Sequence, residues 1–203
     1  QIWLNLPAES KTVDPHFSML WNEDTPTVTV AEEDGRTVSI RVIAGELDGA
    51  TPPPPPPNSW ASRPGTDVAI WNIDLSSGAR WELPAARGEQ TQRVLYVYNG
   101  SPVRIGDRTI ESGHGVVVDA SVPVHLTGGD EGTQILMLQG RPIGEPVVSY
   151  GPFVLNDEAG VRQAFEDYRR TGFGGWPWDS DGPVHERDAG RFARYPDEQL
   201  EQR

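Results

Sequence analysis

Short runs in which β-branched or other apolar residues alternate with polar ones recur along the chain, and they predict many short strands. Residues 27–33 and 37–45 predict two antiparallel strands, because the Glu-Asp-Gly-Arg sequence between them favours a hairpin turn. From residue 67 onward, similar runs follow at even spacing with Gly or Pro between them, which is typical of a jelly roll or small barrel. These later strands are predicted at 67–75, 79–83, 93–99, 103–105, 108–110, 115–120, 122–126 and 134–138.

The first six residues show the same alternation. Ile2, Leu4 and Leu6 fall on one side of an extended segment, which predicts a half-buried strand. A half-buried strand needs a pairing partner, and none precedes it in this sequence. We therefore expect residues 1–26 to be the last strand of a preceding lobe followed by a linker.

One helix is predicted near the C-terminal end, over residues 156–172. An apolar stripe with helical i, i+3, i+4, i+7 spacing starts at Val161, Asn156 can cap the first turn, and Gly172 can end the last one. Residues 173–203 carry too few apolar side chains for a core of their own, so they are predicted to form an extended tail.

Composition narrows the possible partners. The 203 residues carry a formal charge of −13, and Lys11 is the only lysine, so no basic face is available for phosphate backbones and we expect no direct nucleic-acid partner. The chain has no cysteine, which excludes disulfides, thiolate ligands and cysteine nucleophiles. No apolar run approaches the roughly 20 residues that cross a bilayer, so we expect no membrane partner and a cytoplasmic location.

The strand that ends at Gly100 resembles the first signature strand of cupins, in which two histidines and a glutamate precede a glycine at fixed spacing. Counting back from Gly100 places the glutamate position at Arg93 and the histidine positions at Glu89 and Arg87. An iron site needs imidazole and carboxylate groups that converge inside the barrel, whereas two guanidiniums would repel a divalent cation. These degenerate ligand positions predict a metal-free barrel.

The second cupin signature contributes one more histidine. Counting from Gly113 places it at Val124, one residue before His125. Because a shift of one residue reverses the face on which a strand side chain lies, His125 can point either into the barrel or to solvent. A single histidine in either position is more often packed or solvated than a metal ligand.

Several segments together resemble the pirin family, and they cover essentially the whole chain. They are Gln1–Pro7, Arg41–Gly45, Arg93–Gly100, the Glu-Pro-Val-Val-Ser-Tyr-Gly-Pro-Phe-Val block within Gly144–Asn156, and the Gly-Phe-Gly that follows the helix. Pirins are bicupins whose N-terminal lobe holds iron with three histidines and a glutamate. Some members oxidise the flavonol quercetin with dioxygen, and others are redox-responsive transcriptional cofactors or regulators of metabolic enzymes.

The resemblance implies an all-β fold, namely a cupin-type jelly-roll β-barrel over residues 27–155, followed by the helix at 156–172 and the tail at 173–203. It also implies that this chain is the family's C-terminal lobe, which is usually metal-free. The Fe(II) would then belong to a preceding N-terminal lobe, and no catalytic, cofactor-binding or metal-binding residue is expected here.

Three functions are consistent with these predictions. The first is a structural and interaction module, whose partners are the N-terminal cupin lobe of the same protein and other proteins, and which would expose an apolar face around Ile2 and Leu4. The second is part of a quercetin 2,3-dioxygenase whose active site lies in the other lobe. The third is a small-molecule site in which Arg87 and Arg93 grasp a carboxylate, and it requires a roomy interior with both guanidiniums pointing inward.

Overall fold

The computed structural model describes residues 1–176, 179, 185–195, 197 and 199–203. Two compact units divide the chain: one contains Gln1–Leu6 and Leu20–Ile143, and the other contains Pro7–Met19 and Gly144–Arg203. The helices within these described residues are all too short or too polar to span a bilayer.

Two antiparallel sheets account for the strands of the first unit. These strands are β1 (Thr27–Ala31), β2 (Thr37–Ala44), β3 (Ala69–Leu75), β4 (Arg80–Leu83), β5 (Gln92–Gly100), β6 (Val103–Ile105), β7 (Arg108–Ile110), β8 (His114–Val118), β9 (Val124–Thr127) and β10 (Thr133–Gly140). The larger sheet has the order β1-β2-β3-β10-β5-β8, and the smaller has the order β4-β9-β6-β7. Short 3-10 helices at Asn22–Asp24 and Trp60–Ser62 lie in the connections.

One hydrophobic core lies between the inner faces of the two sheets. Alternate residues of the central strands are fully buried, for example Ile40 of β2, Ile73 of β3 and Met137 of β10, and Leu126 of β9 joins them from the smaller sheet. Because side chains alternate between the faces of a strand, the predicted two-residue periodicity places most of these core residues on one face of their strand. The β-rich class with a single α-helix is confirmed for the described residues.

Local turn chemistry fixes the hairpins as predicted. Strands β1 and β2 pair with Thr29 opposite Ser39, and β6 and β7 pair around the turn that contains Gly106. Gly106 has a φ of 60°, which a residue without Cβ adopts at little cost. The hairpin signals were therefore sufficient, since each depends only on residues close in sequence.

The opening segment was predicted to be a strand that pairs with a preceding lobe. Residues 1–6 form no strand, and no described strand pairs with them. Alternation identifies a face, but a strand exists only where a second strand supplies its hydrogen bonds. Ile2, Trp3 and Leu4 are exposed instead, with Trp3 75% accessible.

The second unit contains the helix and two short hairpins. Its elements are the 3-10 helices Ala8–Ser10 and Gly172–Gly174, β11 (Val148–Tyr150), β12 (Phe153–Leu155), α1 (Glu158–Thr171), β13 (Phe192–Arg194) and β14 (Leu200–Gln202). Strands β11 and β12 thus belong to the second unit, although they fall within the range 27–155 predicted for the barrel. The predicted tail contains the β13–β14 hairpin, and its residues 177–178, 180–184, 196 and 198 lie outside the described residues.

The N-cap of α1 is one residue later than predicted. The Asp157 carboxylate accepts a hydrogen bond from the Gly160 amide at 2.6 Å, which makes Asp157 the capping residue. Asn156 instead donates to the Glu145 carboxylate and to the Pro146 carbonyl, contacts that lie far from it in sequence. The C-terminal end is as predicted, with Gly172 in the left-handed conformation.

Candidate functional site

Strand β5 brings one arginine into the core. Its alternate residues Arg93, Leu95 and Val97 face inward, and Arg93 is only 1% exposed. In the ladder between β5 and β10, Arg93 lies opposite Gln139. The Gln139 Oε1 atom accepts hydrogen bonds from Arg93 Nε at 2.8 Å and from Arg93 Nη2 at 2.5 Å.

Arg93 lines a cavity of about 150 Å³ within the first unit. Its walls come from β3, β5, β10 and the segments that follow β2 and β4, and they combine apolar and charged side chains. The lining residues that matter below are Glu46, Leu47, Asp48, Asp67, Val68, Trp71, Pro84, Arg87, Arg93 and Gln139. The cavity therefore reaches from a buried guanidinium to charged groups that are open to solvent.

The acidic neighbour of Arg93 is Asp67. Burial lowers the pKa of the Arg93 guanidinium, and the Asp67 carboxylate raises it. The hydrogen bonds of Asp67 go elsewhere, since its Oδ2 accepts from the Gly88 amide and from the Thr91 hydroxyl, both at 2.9 Å. Asp67 therefore offsets part of the buried charge without a direct hydrogen bond to it.

The other positions of the first cupin signature lie farther out. Arg87 stands at the exposed mouth of the cavity, where its Nη1 is 3.1 Å from the Glu46 carboxylate. Glu89 lies in an exposed turn and does not line the cavity. The requirement that both guanidiniums point inward is thus met by Arg93 but not by Arg87.

Strand β9 settles the orientation that the sequence left open. Val124 and Leu126 pack toward the core, so His125 points outward, with 76% of its side chain accessible. Its Nδ1 lies 3.5 Å from the exposed Glu82 carboxylate on the neighbouring strand β4. The imidazole therefore lies on the side of the strand away from Arg93.

The side chains at the cavity and at the second-signature position Val124 do not suit an iron ion of the kind that metal-binding cupins hold. Arg93 has no lone pair to donate and carries a positive charge, and Val124 presents only carbon atoms. The Asp67 carboxylate is already engaged, and Glu46 is paired with Arg87. Among the described residues, no three His, Cys, Asp or Glu side chains come together as a metal-ligating group.

A second feature lies on the outer face of the six-stranded sheet. An outer face in contact with water is normally polar, as it is on β1 and β2, but on β3, β10, β5 and β8 apolar side chains lie beside polar ones such as Asn72, Asp74 and Gln134. We call this surface the sheet patch, and it consists of Ile70, Val94, Tyr96, Tyr98, Val117, Leu136 and Leu138.

The strand register makes the sheet patch continuous. Leu138 lies opposite both Ile70 and Val94, and Val94 lies opposite Val117, so these four residues form one row across four strands. Tyr96 and Tyr98 extend the surface beside this row, and both are exposed. Val117 is 76% accessible, which is unusual for a valine in a row of apolar side chains.

The sequence did not single out Trp71, Gln139 or Asp67 as site residues. Alternation along β3 could have placed Trp71 inside, since Ile73 and Leu75 on the same face are apolar. The pairing of Gln139 with Arg93 depends on the register of two strands that are far apart in sequence, and nothing local specifies it.

Comparison with known proteins identifies the same family in the family model and in two relatives. Residues 70–174 match the family model of the pirin C-terminal cupin domain. A pirin-like protein of Caulobacter vibrioides is 32% identical over 173 residues, which cover 85% of this chain and 58% of that protein. Pirin-1 of Arabidopsis thaliana is 31% identical over 176 residues, which cover 84% of this chain and 56% of that protein.

A solved structure gives the same picture of the fold. The crystal structure of a quercetin 2,3-dioxygenase from Acinetobacter baumannii superposes with a TM-score of 0.68 and 27% identity, over 85% of this chain and 55% of that one. The cupin-type fold predicted from the sequence is thereby confirmed. The chain spans a little more than half the length of each of these relatives.

Proposed function

Because this chain belongs to the pirin family, we propose that it is the metal-free C-terminal cupin lobe of a two-lobe cytoplasmic protein. In this role it serves as a structural and protein-interaction module for an N-terminal cupin lobe that binds iron. The relatives support this division, since the matched region leaves more than 40% of each of them outside the alignment. The negative charge of −13 favours proteins over nucleic acids as any further partners.

The sheet patch is the observation that carries the proposal. An apolar surface that extends over four strands and contains two tyrosines has the composition of the centre of a protein interface. The exposed side chains of Ile2, Trp3 and Leu4 add a second apolar surface on the same unit. We assign the N-terminal cupin lobe as the occupant of the sheet patch, because the relatives carry additional chain of about the size of one cupin lobe.

The cavity chemistry supports the metal-free part of the proposal. A divalent cation placed beside the Arg93 guanidinium would meet like charge in a site with low dielectric constant, where repulsion is strong. Iron would then be held only by the other lobe, and this lobe would act by stabilising it and by shaping its surroundings.

The direct test starts from the coding sequence upstream of Gln1. We expect it to encode a cupin lobe with the three histidines and the glutamate that hold iron. That lobe, produced as a separate polypeptide, should bind the 203-residue chain with a dissociation constant of about 1 μM or tighter in titration calorimetry. The proposal fails if no cupin lobe is encoded upstream, or if the two polypeptides do not associate.

In a second candidate function, this chain would be part of a quercetin 2,3-dioxygenase, and the likeness to the Acinetobacter baumannii structure favours this function. The active site would lie in the N-terminal lobe, and the present chain would contribute only support. The two-lobe protein loaded with Fe(II) should then consume quercetin and dioxygen together, whereas the 203-residue chain alone should consume neither. A two-lobe protein that binds iron but leaves quercetin unchanged would be a pirin with a binding function only.

A further inference from the structure

Two hydrogen-bond donors of the cavity residues are buried and have no acceptor. They are Nη1 of Arg93 and the indole Nε1 of Trp71. An unpaired buried donor destabilises the fold, and an unpaired charged group does so more strongly, so native proteins rarely leave such groups unsatisfied. Two such donors on residues that line one cavity indicate a site for a ligand that accepts hydrogen bonds.

The charge of the cavity identifies the ligand further. The Arg93 guanidinium has a neutral partner, Gln139, and its acidic neighbour Asp67 directs its hydrogen bonds to Gly88 and Thr91. Buried guanidiniums in proteins are usually matched by an anion in direct contact. A bound carboxylate would supply that contact through Nη1, and carboxylates form strong charge-assisted bonds with guanidiniums.

The size and the lining of the cavity set the shape of the anion. A volume of about 150 Å³ is comparable to that of a cavity that holds one benzene molecule, so only a few non-hydrogen atoms fit. Leu47, Val68 and Pro84 give the walls apolar surface for a short hydrocarbon tail. Glu46 and Asp48 at the exposed part of the lining would repel a second negative charge.

We propose that this cavity binds a small monocarboxylate with a short apolar tail. Its oxygens would accept hydrogen bonds from Arg93 Nη1 and Trp71 Nε1 after a small rotation of both side chains toward the cavity, because both atoms are covered in the structure. By the spacing of the cupin signature, Arg93 stands at the position expected for the ligand glutamate, so the proposed carboxylate would take the place expected for the metal. The proposal is independent of the docking role proposed above, because the sheet patch lies on the opposite face of the same sheet.

The test is a titration of the 203-residue chain with sodium butyrate, with sodium chloride at equal ionic strength as the reference. In ¹H–¹⁵N spectra the indole N–H signal of Trp71, identified by its loss in Trp71→Phe, should shift and saturate with a dissociation constant of about 1 mM or tighter. Inorganic phosphate should produce no saturable shift, because Glu46 and Asp48 would repel its additional negative charge.

Variants separate the proposed site from nonspecific binding. By calorimetry, Arg93→Met should bind butyrate at least about 30-fold more weakly, because the charged partner is lost. Trp71→Phe should weaken binding about 5-fold, because one neutral hydrogen bond is lost. The matched control Arg108→Met, an exposed arginine outside the cavity, should change the affinity by less than about 2-fold.

Three outcomes would overturn the proposal: no saturable shift with butyrate, a phosphate response equal to the butyrate response, or unchanged affinity in the cavity variants. If Arg93→Met does not fold, as judged by circular dichroism, Trp71→Phe decides the question, because it keeps the aromatic ring and the core packing.

Discussion

A chain that carries Tyr96→Glu together with Val117→Glu should bind the N-terminal cupin lobe at least about 100-fold more weakly than the native chain. Both side chains are exposed on the sheet patch, so the native chain tolerates them in water, and the double variant should fold normally. In the complex, two carboxylates would have to lose their water in an apolar interface with no described cation beside them. Titration calorimetry with the separately produced lobe measures the loss.

A matched control uses the same charges on the same sheet. Thr27→Glu with Thr29→Glu places two carboxylates on exposed positions of β1, the strand at the opposite edge of the sheet from β8. This variant should bind like the native chain. Equal affinities for the two double variants and the native chain would show that the sheet patch is not the docking surface.

The largest effect on stability is expected at Gly100, the last residue of β5. Gly100→Ala should lower the free energy of unfolding by about 3 kcal/mol, as the sum of a strained backbone and a steric clash. Gly100 has a φ of 88°, and an added Cβ would lie 3.0 Å from Thr133 Cα and closer still to the Gly132 carbonyl oxygen. Thr133 is the residue of β10 that pairs with Gly100, and Gly132 directly precedes it, so neither backbone atom can move aside without disturbing the ladder.

Gly106→Ala is the control that measures the cost of the strained backbone without the steric clash. Gly106 also has a positive φ, of 60°, but an added Cβ there would meet no atom within 4 Å. Its cost should be about 1 kcal/mol. Urea denaturation followed by tryptophan fluorescence compares the two, and a Gly100→Ala chain no less stable than Gly106→Ala would contradict the close approach of β5 and β10.

The elements that the sequence predicted well are those whose cause is local. The β1–β2 hairpin follows from alternation and from a Gly-containing turn, and the end of α1 at Gly172 follows from one left-handed residue. Asn156 was a reasonable cap by composition, but its side chain is used by Glu145, and Asp157 takes the capping role. A local sequence pattern does not reveal that a residue elsewhere in the chain, here Glu145, will engage the side chain of a potential cap.

The candidate site shows the same limit more clearly. The spacing before Gly100 placed Arg93 at a ligand position of the cupin pattern, and the structure places it inside. A shift of one residue along β9 would reverse the face on which His125 lies. Only the pairing of β9 with β4 determines this register. Alternation along β3 could place Trp71 inside, but its proximity to Arg93, like that of Gln139, depends on pairings between distant strands.

The sheet patch depends partly on the local sequence pattern and partly on contacts between strands that are distant in sequence. Alternation along β5 predicts that Val94, Tyr96 and Tyr98 share a face, opposite to that of Leu95 and Val97. Both faces carry apolar side chains, so the sequence alone does not reveal which face forms the core. The fully buried state of Leu95 and Val97 identifies the inner face and leaves the tyrosines for a partner.

The iron content of the isolated 203-residue chain tests the central claim most directly. The chain is incubated with Fe(II) without oxygen, desalted, and analysed by mass spectrometry of the metal, with the two-lobe protein treated in parallel. We predict iron in stoichiometric amount in the two-lobe protein and only background iron in the 203-residue chain. Stoichiometric iron in the isolated chain, retained through desalting, would contradict the assignment of this lobe as a metal-free module.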